Sequence, residues 1–355
     1  MGLTAGGVLC LANRQMNPAS ADLLTDLLRN VSRSFYLTLR MLPGAVRPQI
    51  GLAYLLARAT DTVADAEIVG VEQRLDALDR LRARILGESS EALNFGDLAR
   101  HQGSPDERVL LERIEEAVSL LNTMLPEDRQ RIRDVLKTIT SGQELDLKRF
   151  AGASAQRIVC LASDGELEDY TYRVAGCVGE FWTRMCRAHL FPDAALDDAA
   201  LLADGVRFGK GLQLVNILRD LPRDLRQGRS YLPGPALHAA GLEARELLDP
   251  ANEPRLRPLY NAWLDRAAEH LEAGWRYTNT LPRRCVRVRL ACAWPVLIGV
   301  RTLARLRGQN MLDPHSRIKV SRAEVRNMLV RSVIVYPWPG AWGRQFQRCA
   351  ASPIA

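Results

Sequence analysis

Two stretches of this 355-residue chain place carboxylates one helical turn apart among other polar groups. The first reads GLAYLLARATDTVAD, Gly51 to Asp65. At about 100° per residue, Arg58, Asp61 and Asp65 lie about 40°, −20° and 20° from Tyr54 on a helix. One face then carries a phenol, a guanidinium and two carboxylates, and a rise of about 6 Å lets Asp61 and Asp65 reach one hard cation. As a merely solvated face, the like-charged i,i+4 pair would be mildly destabilising, and neither Tyr54 nor Arg58 would be explained. The second stretch, QLVNILRDLPRDLRQGRSYLP from Gln213 to Pro233, puts Gln213, Asn216, Asp220 and Asp224 within about 80° of one another. Pro222 lies between the two aspartates and predicts a kink or an end to the helix there. Arg219, Arg223, Arg226 and Arg229 stand close enough to grip phosphate oxygens bidentately. Mg²⁺ prefers carboxylates together with phosphate oxygens. Two such faces opposed across a cavity would hold Mg²⁺ against a diphosphate and favour ionisation of an allylic C–O bond, above a dry interior that shelters the carbocation.

Helices must position these groups. Leu23, Leu24, Leu27 and Leu28 form one apolar stripe, and Leu75, Leu78, Leu81, Ile85 and Leu86 another. Further helices are expected over 107–124, 126–148, 166–188, 197–221, 257–279, 285–307 and 321–333, and runs with a strict period of two are scarce. Breaks at Pro43/Gly44, Pro192, Pro233–Pro235 and Pro282 separate helices without forming a long polar linker. The expectation is an all-α, single-domain bundle with a central cavity: an N-terminal extension over 1–20, the helical domain over 21–335 and a tail over 336–355.

Composition narrows the alternatives. Seven cysteines, an odd number without a CxxC pair, argue for a reducing compartment and against structural zinc, so a cytoplasmic protein is expected. The net charge of +7 suits a polyanionic substrate or an anionic surface. Nucleic acid is not expected as a partner, because no finger or RNP-like signature and no aromatic–basic interleaving accompanies the charge. Leu290–Val300 is too short to span a bilayer, and Met328–Trp342 carries Arg331, Pro337 and Pro339, so at most peripheral membrane contact is expected, with that second stretch against the lipid. Nothing in the sequence fixes an oligomeric state.

SRSFYLTLRMLP (Ser32–Pro43), YLLARATDTVAD (Tyr54–Asp65), SGQELDL (Ser141–Leu147), YTYRVAGCVG (Tyr170–Gly179) and QLVNILRDLPRDLRQGRSYLP, in that order, resemble the squalene and phytoene synthase family over roughly Val31 to Val335. The resemblance implies an isoprenoid-synthase bundle that joins two prenyl diphosphates head to head through a cyclopropylcarbinyl diphosphate. By position, it implies that Asp61, Asp65, Asn216, Asp220 and Asp224 hold Mg²⁺ (or Mn²⁺) and that Arg33, Arg58, Arg219 and Arg229 contact diphosphate with Tyr231 nearby. Ser32, Phe35, Tyr54, Gln213 and Asn216 would line the reaction centre, and Tyr170 would accept a proton or stabilise a cation. Val174, Ala175, Gly176, Val178 and Gly179 are small and would let the chain run close to substrate. Arg173 stands where some relatives carry an aromatic residue or glycine.

Two C-terminal segments lean toward squalene synthase. LACAWPVLIGVRTL (Leu290–Leu303) and IKVSR (Ile318–Arg322) resemble that enzyme's patterns, and Lys319 and Arg322 are the implied contacts for NADPH phosphates. Ala291 departs from the phenylalanine of the pattern. No GxGxxG is present, so an NADPH site would not be Rossmann-like. The implied activity is farnesyl diphosphate to squalene. Synthesis of phytoene, dehydrosqualene or presqualene diphosphate is the alternative, and a non-catalytic assembly factor a distant one, set back by four intact aspartates.

Overall fold

The computed structural model describes residues 22–32, 36–66, 68–100, 104–315 and 318–351. Helices dominate it. Those that frame the centre are α1 (Arg47–Ala64), α2 (Val71–Leu86), α3 (Pro105–Glu112), α4 (Pro126–Arg149), α5 (Asp164–Thr171), α6 (Cys177–Leu190), α7 (Asp198–Arg226), α8 (Glu253–Thr280) and α9 (Val286–Arg307). Two more, α10 (Arg322–Val335) and α11 (Pro339–Ala350), pack on α9.

Local chemistry explains their ends. Proline occupies the first turn of α1, α3, α4 and α8, where its missing N–H costs nothing. Glu127 and Asp128 open α4 and Lys148 and Arg149 close it, each complementing the helix dipole. Ser163, Asp197 and Ser321 cap α5, α7 and α10 by accepting backbone N–H groups.

The long helices α7 and α8 share the most extensive contact, and α1, α4, α6 and α9 complete the wall around the centre. Leu52, Leu55, Leu56, Ala59 and Val63 put one face of α1 fully into the core. The segment after Tyr336 also belongs to the packed structure, since Trp342, Phe346 and Cys349 of α11 are buried. Two short strands, β1 (Val159–Leu161) and β2 (Arg229–Pro233), pair in parallel with Val159 opposite Arg229 and Cys160 opposite Ser230.

Three helices differ from expectation. The helix expected over 107–124 breaks at Arg113, whose guanidinium ties Asp22 to Glu116. Between α5 and α6 the chain stays helical but widens into a π-turn over Tyr172–Gly176, an insertion common at functional sites. Most informative is α7, which runs straight past Pro222 to Arg226. Proline deprives the Leu218 carbonyl of its helical partner, and the buried Tyr260 hydroxyl of α8 donates to that oxygen at 2.9 Å. A tertiary hydrogen bond replaces the missing backbone one, so the helix carries Asp220 and Asp224 on a continuous face.

Candidate functional site

A cavity of about 650 Å³ lies at the centre of the bundle. Four of the wall elements change character along their length. On α1 the lining runs from Ile50 and Ala53 through Tyr54 to Arg58 and Asp61, with Asp65 just beyond the helix end. On α4 it runs from Val135 and Ile139 to Gln143 and Asp146, with Leu147 and Phe150 following, and on α7 from Gly205 and Phe208 to Gln213 and Asn216. The α5–α6 segment runs the other way, from Tyr170 through Val174 and Val178 to Phe181 and Trp182. The polar ends coincide at one mouth, and the apolar ends meet Tyr277 of α8 and Ala291, Cys292 and Pro295 of α9.

At the mouth Arg58 is braced between two acids: Nη1 meets Asp61 Oδ2 at 2.6 Å and Nη2 pairs with Glu107 of α3. Asp65 follows one turn after Asp61. Burial and the Asp65 charge raise the Asp61 pKa, against the pull of Arg58. Across the mouth, Arg219 grips Asp220 through Nε at 2.8 Å and Nη2 at 2.6 Å. Burial first, then Asp220, pushes the Asp224 carboxyl up to about 7. Asp220 and Asp224 continue the α7 face past Asn216, outside the wall itself. Asp224 lies close enough to the hollow to be coupled to it electrically: Asp224 feels Asp146, Asp146 feels Asp65, and Tyr170 feels Asp146, Asp224 and Asp61.

Tyr170 and Tyr231 stack with ring centroids 4.7 Å apart. The Tyr170 hydroxyl donates to the Tyr231 hydroxyl at 3.3 Å, and Tyr231 donates to Asp146 Oδ2 at 2.8 Å. Burial raises both phenols well above their ordinary value, so both stay neutral, and burial lifts Asp146 to about 6. β2 sets Tyr231 and Arg229 here, and the Arg229 guanidinium lies 6.0 Å from the Phe150 ring centre.

The structure thus gathers Tyr54, Arg58, Asp61, Asp65, Tyr170, Gln213, Asn216, Arg229 and Tyr231 on the cavity, whereas Arg219, Asp220 and Asp224 follow Asn216 on α7 without lining it. Ser32 is instead buried outside the wall, its hydroxyl donating to the Leu28 carbonyl of its own helix. Arg33 and Phe35 lie outside the described residues. Lys319 and Arg322 are exposed and away from the wall. Val174, Ala175, Val178 and Gly179 do line the cavity. The demand for glycine comes from elsewhere: a Cβ on Gly179 would sit 1.9 Å from the Gly205 carbonyl oxygen, and one on Gly209 2.1 Å from that of Ala175. Backbone-to-backbone contact of α6 and the π-turn with α7 fixes these two walls of the cavity together.

Sequence reasoning gave no role to Glu107, Gln143 or Asp146. The anchor SGQELDL contains the last two, but nothing in it shows that Asp146 faces Tyr231, 85 residues away.

Oxygen donors are abundant here, and three buried polar atoms (Asp146 Oδ1, Gln143 Oε1 and Arg58 Nε) have no hydrogen-bond partner among the described residues. Among those residues no three His, Cys, Asp or Glu side chains are grouped closely enough to hold a metal by themselves. Carboxylate and amide oxygens are the donor type that Mg²⁺ takes together with water and substrate phosphate.

The model of the squalene/phytoene synthase family matches residues 28–324. The chain is 30% identical over 305 residues to a bifunctional lycopene cyclase/phytoene synthase of Blakeslea trispora, covering 82% of this chain and 46% of that protein. It thus spans about half the length of such bifunctional relatives. It is 29% identical over 292 residues to the 15-cis-phytoene synthase of Synechocystis sp., covering 78% of this chain and 74% of that one. It is also 26% identical over 305 residues to a presqualene diphosphate synthase of Rhodopseudomonas palustris, covering 85% and 93%. Among solved structures, a TcSQS complex with ligand E5700 aligns with a TM-score of 0.77 at 20% identity, over 94% of this chain and 90% of that one. A dehydrosqualene synthase aligns at 0.63 and 21% identity, over 90% and 98%. At such identities the structural likeness is one of fold. With the family match extending from before α1 to the start of α10 and enclosing every wall helix, the chain belongs to the squalene/phytoene synthase family.

Proposed function

We propose that this chain couples two farnesyl diphosphates head to head into presqualene diphosphate and, supplied with NADPH, reduces it to squalene. One observation carries the coupling reading: the polar lining residues of four wall elements gather at one mouth while their other ends are apolar, so an ionic head and a hydrocarbon tail fit only one way round. Bulky Phe181, Trp182, Phe208 and Tyr277 in the apolar part favour the shorter farnesyl chain over one an isoprene unit longer.

The chain's own residues divide the work. Asp61 and Asp65 on one side and Asn216, Asp220 and Asp224 on the other would hold Mg²⁺. When bound, the ion neutralises the leaving diphosphate and lowers the barrier to C–O ionisation. Arg58, Arg219 and Arg229 supply guanidinium groups to the diphosphate oxygens. For Arg219 this means exchanging its present grip on Asp220. The apolar walls exclude water, which would otherwise quench a carbocation. Tyr170 acts as a neutral phenol. Its oxygen takes a proton from the cationic intermediate while its own proton passes to Tyr231 and that of Tyr231 to Asp146, the carboxylate at the end of the chain. Tyr231→Phe is therefore expected to lower kcat with little change in KM; unaltered kcat would exclude the relay.

A second reading stops at presqualene diphosphate. Two facts favour it: Lys319 and Arg322 stand off the cavity wall, and the presqualene diphosphate synthase is matched over 93% of its length. Purified protein with Mg²⁺ and either farnesyl or geranylgeranyl diphosphate, with and without NADPH, tests both. Squalene only with NADPH supports the first reading, and presqualene diphosphate under both conditions the second. Phytoene from the longer substrate as the preferred product overturns both. Asp61→Asn and Asp220→Asn should each cut turnover at least about a hundredfold while melting as folded proteins.

A further inference from the structure

Charge is distributed unevenly along the chain. From Ala273 to the end there are 15 Arg and Lys residues and two acids, a net +13, whereas residues 1–272 carry a net −6. The diphosphate mouth does not account for this, because the residues assigned to it all precede Leu232. One of the two acids, Glu324, is already engaged inside the fold by Arg301 and Arg305.

Within this basic part, α10 presents an unusual outer face. Its inner side chains Met328, Leu329, Ser332 and Val335 turn toward α9 and α11, where Trp294 Nε1 donates to Ser332 Oγ at 2.9 Å. On the outside, Val330, Val333, Ile334 and, just past the helix end, Trp338 are 53%, 50%, 60% and 60% exposed. By helical geometry Val333, Val330 and Ile334 form a strip about 100° wide, with Arg326 on the same face one turn before Val330, Arg322 at one edge and Arg331 beyond the other. Arg283 adjoins its far end, donating to the Pro337 carbonyl at 3.3 Å. Exposed Arg284 and Arg287 follow it in the chain.

We propose that this face is a docking site for the surface of an anionic phospholipid bilayer. Aliphatic side chains and an indole in the middle suit the acyl–headgroup boundary, and arginines on both edges suit lipid phosphates. A nucleic acid would meet the charge but waste the strip, and a second copy of the chain would bring arginines against arginines. The site adjoins α9, whose Ala291, Cys292 and Pro295 line the apolar end of the cavity, so docking would set the hydrocarbon end of the cavity beside the lipid. No described helix is long and apolar enough to cross a membrane, so attachment through these residues would be interfacial. The proposal rests on charge and exposure and is independent of the product made.

Vesicle co-sedimentation tests it, with phosphatidylcholine vesicles with and without phosphatidylglycerol. The full chain is expected to bind the anionic vesicles at low salt and to release as salt rises. Val333→Ser with Ile334→Ser should lose most binding, and Arg326→Gln and Arg331→Gln should each weaken it about fivefold. All are exposed positions, and unchanged melting curves establish that the variants are folded. Failure of the wild type to bind anionic vesicles overturns the proposal, as does wild-type binding by both sets of variants. So does retention on duplex DNA, or a dimer broken by the Ser variants, without vesicle binding. None of these readouts involves turnover.

Discussion

At the mouth, acidic groups crowd together before any cation or substrate arrives, and that has a measurable cost. In an unfolded chain Asp ionises near 4. Folded, Asp224 ionises at about 7 and Asp146 at about 6, burial being the main cause for both. Between about pH 4 and pH 7 the folded state therefore holds protons that the unfolded state has released, and stability falls as pH rises through that window and levels off above it. Asp224→Asn removes the buried charge but keeps the shape. Its Tm is expected to exceed that of the wild type by a few degrees at pH 8 and to converge with it near pH 4. Parallel melting curves across that range would show that Asp224 is not penalised by burial. Mg²⁺ with inorganic diphosphate should raise the wild-type Tm at pH 8 more than that of the variant, since a bound cation favours the ionised carboxyl. The aspartate spacing was legible in the sequence because residues four apart share a helix face. The Tyr170–Tyr231–Asp146 chain was not, because its members come from three elements brought together only by tertiary packing.

Helix α7 illustrates how an element can defy its own sequence. Pro222 in isolation predicts an interruption, and the expected end near Leu221 followed from that. What the sequence conceals is Tyr260, 42 residues on, whose hydroxyl satisfies the one carbonyl that proline orphans. Tyr260→Phe should then cost about 1–3 kcal/mol, the penalty of a buried carbonyl left without a donor. Pro222→Ala restores a backbone N–H to that carbonyl, so in its background the loss on Tyr260→Phe should shrink markedly. Equal losses in the two backgrounds, measured by chemical denaturation, would mean that Tyr260 serves only as packing. The starts of α4 and α7 fall where periodicity placed them, whereas α3 and α8, expected from 107 and 257, begin earlier at Pro105 and Glu253, because a proline that looks like a break is accommodated in a helix's first turn. The π-turn over Tyr172–Gly176 was not, as it widens a helix whose residues all have helical character, and the close approach of Gly179 to Gly205 requires knowing which helices cross.

Across the whole molecule, the direction of the wall helices matters more than any single side chain. Because α1, α4 and α7 point their polar ends at the mouth while α5–α6 starts there, the bundle makes a tube that is ionic at one end and aromatic at the other. The all-α architecture and the central cavity followed from periodicity and motif order, but the depth of the tube depends on which bulky residues reach it from distant helices. Phe208 comes from α7 and packs against Tyr277 of α8 with ring centroids 6.1 Å apart, and Trp182 comes from α6. If these rings set the length of hydrocarbon that fits, removing one must change specificity in a single direction. Phe208→Ala and Trp182→Ala should raise kcat/KM for geranylgeranyl relative to farnesyl diphosphate and yield longer coupled products. Each would lose some stability from the space left behind, so the assay belongs at a temperature well below the lowered Tm. A uniform loss of activity on both substrates would place the length-setting element elsewhere, whereas a shift toward the longer chain would identify the aromatic end as the ruler.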